Sequence, residues 1–130
     1  MLNFKIAIKK EVIEILMMYK EFCYEVGGML FGSNVFSKLS IKAISTQKGK
    51  PFSITFSNDK SKIYYPPYKQ RIIGTWHLHP NQQNLNPSYV DLNQWRKWNK
   101  KYIHLLSNGN KLKIYNYKGD CLYETILESI

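Results

Sequence analysis

The chain has 130 residues, 44% of them hydrophobic and 22% charged, which suits one compact domain over residues 1–130 and excludes a disordered chain. A formal charge of +10 favours acidic partners, but the lysines are dispersed and no run of five basic residues occurs, so charge alone says little, and without a recognition motif nucleic acid is not the expected partner. No stretch approaches the roughly 18 apolar residues that span a bilayer, and the first ten residues alternate instead of forming a signal-peptide core, so a cytoplasmic protein without membrane contact is expected.

Residues 3–9 alternate, with Phe4, Ile6 and Ile8 on one face, and predict a strand. Residues 11–23 place Val12, Leu16, Tyr19 and Cys23 at helical spacing and predict an amphipathic helix. The run Glu25-Val26-Gly27-Gly28-Met29-Leu30-Phe31-Gly32 reads as a strand whose glycines permit close backbone approach. Residues 35–45 and 52–56 suggest further strands, and 57–70, with Pro66 and Pro67, a loop. Residues 71–77 form a buried-type strand, 80–87 a second loop, and Tyr89 to Lys100 a helix on which Trp95 and Trp98 share a packing face. Short strands near 102–107, 112–117 and 121–127 close the chain, with Asn108-Gly109 as the hairpin turn between the first two. Cys23 and Cys121 match no metal or redox spacing and are expected as two buried free thiols. Mixed strands with two helices predict an α+β or three-layer α/β/α domain.

The chemistry concentrates in His77-Leu78-His79-Pro80 and Pro87-Ser88-Tyr89-Val90-Asp91. On a strand, residues i and i+2 share a face, so His77 and His79 present two imidazoles side by side. Two imidazoles and a carboxylate form an open ligand set for catalytic zinc, and Asp91, in the first turn of the predicted helix, can turn inward to complete it. A His-x-His pair alone is weak evidence of a metal. Ser88-x-x-Asp91 also reads as a helix N-cap close to a capping box, a role compatible with aiming Asp91. His104, within Tyr102-Ile103-His104-Leu105-Leu106, is expected as a packed or half-exposed histidine, not a further ligand.

Taken together with Glu25, these residues resemble the JAMM (JAB, MPN-plus) metallo-isopeptidases, whose pattern is a distant glutamate, then H-x-H, then S-x-x-D. Here the pattern reads Glu25, His77-Leu78-His79 and Ser88-Tyr89-Val90-Asp91. The strand E-V-G-G-M-L-F-G, Gly74-Thr75-Trp76 before the histidines and Pro80 after them are similar to bacterial stand-alone members, some of which act in ubiquitin-like deconjugation or anti-phage CBASS operons. One departure is a loop of eight residues between His79 and Ser88, where seven are usual.

The resemblance implies a JAMM/cytidine-deaminase-like mixed sheet flanked by two helices. It implies a zinc ion (Zn2+) held by His77, His79 and Asp91, with Glu25 as general base and Ser88 as oxyanion donor. It further implies hydrolysis of an amide bond at the C-terminal tail of a ubiquitin-like modifier or conjugate, with activating- or conjugating-enzyme-like proteins as partners. Processing of a small sulfur-carrier protein and a non-catalytic MPN-type interaction domain are the alternatives. The tyrosines at 64, 65 and 68 could line a groove for an extended tail, or simply decorate a Pro-stiffened loop.

Overall fold

The computed structural model describes residues 5–35, 38–48, 71–80 and 84–129. The strand expected at 52–56 and the loop expected at 57–70 lie outside the described residues. In chain order the elements are β1 (Lys5–Ile8), α1 (Lys10–Met18), β2 (Val26–Val35), β3 (Lys38–Ile44), β4 (Gln47–Lys48), β5 (Arg71–Leu78), α2 (Tyr89–Trp95), β6 (Ile103–Ser107), β7 (Lys111–Tyr115) and β8 (Cys121–Ile126). A 3₁₀ turn, Leu127–Ser129, follows. One mixed sheet runs β1-β3-β2-β5-β6-β7-β8, with β4 also paired to β2. The β1–β3 and β5–β6 pairs are parallel and the others antiparallel.

Strand alternation divides the side chains between two faces. Trp76 and Leu78 of β5, Leu105 of β6 and Leu112 and Ile114 of β7 join Val12, Ile13 and Leu16 of α1 in the main core. The intervening positions point the other way, where Leu106 and Tyr115 pack with Trp95 of α2 and Leu85 in a smaller cluster. The two helices therefore cover opposite faces. Gly28 lies so close to Ser45 that a Cβ there would collide with the Ser45 carbonyl, which is the close approach expected of this glycine-rich strand. At the β6–β7 hairpin Gly109 takes φ +86°, a left-handed conformation that glycine adopts without strain.

Three expectations need correction. Helix α1 ends at Met18, not at 23, because the chain turns away in successive tight turns: Lys20 N–H donates to Met17 O and Phe22 N–H to Tyr19 O. Tyr19 then packs edge-on against Phe22 and, at 5.9 Å, against Trp76. Helix α2 stops at Trp95 instead of Lys100, so the two tryptophans do not share a helix face: Trp95 is buried, while Trp98 stacks on Tyr102. Both cysteines are free, as expected, but exposed, since Cys23 follows the turns after α1 and Cys121 opens the edge strand β8. Among the described residues, no helix is long and apolar enough to cross a membrane.

Candidate metal centre

The site forms where three elements meet at the end of β5. His77 lies on β5 and His79 just beyond it, their ring centroids 5.0 Å apart. The backbone N–H of His79 donates to Ser107 O at the end of β6, so the strand-like path continues through the second histidine. Across the sheet, Gly27 of β2 pairs with His77. Continuing that antiparallel register by two residues sets Glu25 opposite His79, and the ligand atoms of Glu25, His77 and His79 lie within 4.8 Å of one another.

Asp91 arrives from the other side. The crossover from β5 to its parallel neighbour β6 runs through α2, which starts beside the strand end. Ser88 is the N-cap, and the capping box is complete: Asp91 N–H donates to Ser88 Oγ at 3.1 Å, and Ser88 N–H donates to Asp91 Oδ2 at 2.7 Å. This reciprocal pair turns the Asp91 carboxylate inward. Its Oδ1 lies 3.0 Å from His77 Nε2 and its Oδ2 lies 3.2 Å from His79 Nε2. The Ser88 side chain remains exposed at the edge of this cluster.

The donor set fits a zinc ion on geometric grounds. Two ligands about 2.0–2.1 Å from a tetrahedral zinc would be about 3.3 Å apart, close to the separations between Asp91 and the histidines. The tautomer fits as well. His79 Nδ1–H donates to Asn84 O at 2.8 Å, an assignment made from the acceptor it faces, and this leaves Nε2 to face Asp91. A bare imidazole lone pair 3.2 Å from a carboxylate oxygen is repulsive, so a positive species belongs between them: a proton or a metal ion.

The titration behaviour follows from the same contacts. Burial alone would raise the Asp91 pKa, but the contacts with His77 and His79 and the Ser88 N–H hold it well below the usual carboxylate range. For His79, burial opposes the charged ring and the Asp91 contact outweighs it, raising its pKa in the metal-free protein. Glu25 is 8% exposed, and its pKa is pushed up to about 7, first by burial and then by the negative charge of Asp91. Two carboxylates in one site are thus driven apart, one held ionised and one poised near neutrality.

The structure brings together Glu25, His77, His79, Ser88 and Asp91, every site residue named from the sequence. It adds neighbours that sequence reasoning passed over. Thr75, two residues before His77 and on the same face, meets His104 at 2.7 Å (Oγ1 to Nδ1). Tyr115 donates its hydroxyl to Leu85 O at 2.6 Å, next to the Asn84 carbonyl that holds His79. Period-two counting back from His77 could have found Thr75; nothing local marks Tyr115. His104 is fully buried and packed, not half-exposed.

No protein-family model and no curated protein matches this sequence. Solved structures do. A JAB1/MPN domain protein from Archaeoglobus fulgidus aligns with 90% of this chain and 94% of its own, at TM-score 0.58 and 20% identity. A structure described as JAMM, a metalloprotease-like zinc site in the proteasome and signalosome, aligns over 92% and 94% at TM-score 0.56 and 19% identity. A Desulfitobacterium hafniense protein solved in solution aligns over 89% and 88% at TM-score 0.55 and 15% identity. The chain has the JAB1/MPN fold, the mixed sheet with two helices expected from its sequence.

Proposed function

We propose that this protein is a zinc-dependent metallopeptidase that hydrolyses an amide bond at the C-terminal tail of a ubiquitin-like modifier or its conjugate. The observation that carries the reading is the convergence of Glu25, His77, His79 and Asp91 at one strand end of a JAB1/MPN fold. His77, His79 and Asp91 would hold the ion, which when bound supplies Lewis-acid polarisation of the scissile carbonyl and of water. Glu25, buried beside both histidines, takes the proton from the attacking water and later gives it to the leaving amine. The exposed Ser88 hydroxyl can donate a hydrogen bond to the oxygen on which charge develops while its lone pair keeps capping α2.

Glu25 sits close enough to both histidines to serve as the carboxylate ligand in place of Asp91, and this second assignment has its own outcome. Metal analysis of the wild type, His77→Ala, Asp91→Ala and Glu25→Gln separates them. Zinc lost in His77→Ala and Asp91→Ala but kept in Glu25→Gln supports Glu25 as base; zinc lost in Glu25→Gln makes it a ligand.

The substrate test uses a ubiquitin-like protein joined through its terminal glycine to a reporter, beside a folded control without a tail. Cleavage after the glycine, blocked by a chelator and reduced about 10²–10⁴-fold in Glu25→Gln, is expected. Cutting of unrelated peptides without regard to a glycine tail would leave a general metallopeptidase in its place. Proteins resembling modifier-activating or conjugating enzymes are the partners this reading implies.

A further inference from the structure

Beside the ligand cluster lies a group of three buried rings. Trp95 stacks face to face on His104, with centroids 4.8 Å apart and planes 6° apart, and also meets Tyr115, the cross-strand partner of His104, at 5.5 Å and 30°. All three are at most 3% exposed. Each ring is tied to a different part of the site. Trp95 lies one helical turn after Asp91 and on the same face of α2, so fixing Trp95 fixes the rotation of the helix that aims Asp91. His104 Nδ1 meets Thr75 Oγ1, two residues before His77 on β5. Tyr115 donates to Leu85 O, adjacent to the Asn84 carbonyl that accepts from His79 Nδ1.

The chemistry of His104 suits a fixed part. Its Nε2 is buried and has no hydrogen-bond partner among the described residues. A proton placed there would be an orphaned buried donor, so the favoured tautomer carries the proton on Nδ1 and donates to Thr75. Burial also keeps the ring neutral, with its pKa pushed down to about 3. A neutral ring with one directed donor and an apolar face on Trp95 is a spacer between β5 and α2. It is too far enclosed to meet substrate.

We propose that Thr75, His104, Trp95 and Tyr115 form one positioning network that sets the separations among His77, His79 and Asp91. The inference rests on the metal-binding reading above. Groups hydrogen-bonded directly to a ligand typically contribute about 10–100-fold to metal binding, and these four, one contact further out, act through the strand, loop and helix that carry the ligands, at the low end of that range.

The test measures the zinc dissociation constant by chelator competition and, separately, the melting temperature of the metal-free protein. Tyr115→Phe keeps the stacked ring and deletes only the bond to Leu85. Thr75→Val keeps the shape and deletes the bond to His104, and Thr75→Ser restores the hydroxyl. Ile114→Val, beside Tyr115 but on the opposite face of β7, is the control for simple loss of packing. Zinc binding about 10-fold weaker in Tyr115→Phe and in Thr75→Val, recovered in Thr75→Ser and unchanged in Ile114→Val, is expected. Two near-isosteric changes on different strands keep the test readable if either variant fails to fold. Wild-type zinc affinity in both folded variants overturns the network and leaves the metal reading intact. Absence of zinc binding in the wild type overturns both. Weakening in Ile114→Val equal to that in the two test variants also overturns the network, because general loosening would then account for the effect.

Discussion

The two faces of the sheet share the same strands and differ in almost everything else. Toward α1, β5, β6 and β7 present Trp76, Leu78, Leu105, Leu112 and Ile114, all fully buried and apolar apart from the indole N–H, which donates to Ser45 O. Toward α2 the alternate positions carry Thr75, His77, His104 and Tyr115, with Leu106 as the aliphatic member, and each polar one is held by a directed contact to a named neighbour. One face works by volume and the other by orientation. Volume stabilises the fold, because apolar burial contributes without regard to angle. Orientation makes a site, because ligands and a base are useful only within a few tenths of an ångström of their places.

The largest expected effect breaks the first face. Trp76→Ala deletes a fully buried ring, leaves the Ser45 carbonyl without its donor, and should cost about 3–5 kcal/mol. Chemical denaturation should place it far below every site variant. If Asp91 or His77 variants lose as much stability as Trp76→Ala, the division of labour between faces is wrong.

Asp91 tests the boundary, since it serves both the site and the helix. Asp91→Ala removes the N3 half of the capping box and should cost about 1 kcal/mol along with the metal. Asp91→Asn keeps an acceptor for Ser88 N–H and should lose the metal with a smaller loss of stability. The metal-free wild type should also be acid-sensitive in a way these variants are not. A carboxylate whose folded pKa is depressed contributes stability above its unfolded value of about 3.9 and loses it as pH falls further. Melting temperatures from pH 6 down to pH 2 should therefore fall less steeply in Asp91→Asn than in the wild type.

Glu25 carries the opposite sign. Its folded pKa of about 7 lies above the ordinary 4.5, so between these values the folded protein binds more protons than the unfolded chain and stability declines as pH rises. Metal-free Glu25→Gln should then melt a few degrees above the wild type at pH 8, with the gap closing toward pH 5. A constant gap across that window would show that folding does not raise the pKa of Glu25. The smallest effect concerns the surface. With a net charge of +10, association with an acidic protein substrate should slow as salt shortens the screening length to about 8 Å at physiological ionic strength, with turnover of bound substrate little changed. Stopped-flow association at several salt concentrations would measure it.

Local rules made much of this legible in the sequence. Period two places His77 and His79 on one face, the spacing of Ser88 and Asp91 marks the capping box, and Asn108-Gly109 marks the hairpin. The placement of Glu25 was not legible in that way. It depends on the register between β2 and β5, a pairing across some fifty residues, and only likeness to a known motif pointed to it. The helix ends are not legible because periodicity continues past the point where packing takes over. Tyr19 and Phe22 keep helical spacing while the chain is already turning, and Trp98 leaves the helix to stack on Tyr102. The usual preference of cysteine for burial does not hold here, because Cys121 opens an edge strand and Cys23 follows the turns after α1.

The capping box carries a consequence for how such a site can be lost over generations. The Asp91 carboxylate holds the first turn of α2 through Ser88 whether or not an ion is bound, so the helix does not depend on the metal for its start. A change from Asp to Asn needs one nucleotide and keeps the cap while discarding the anionic ligand. The loss to folding is smaller than for a change to Ala, which removes the cap as well. A lineage with this architecture can therefore lose the negative charge beside the two histidines in a single step, with the helix still in place for whatever binds there next.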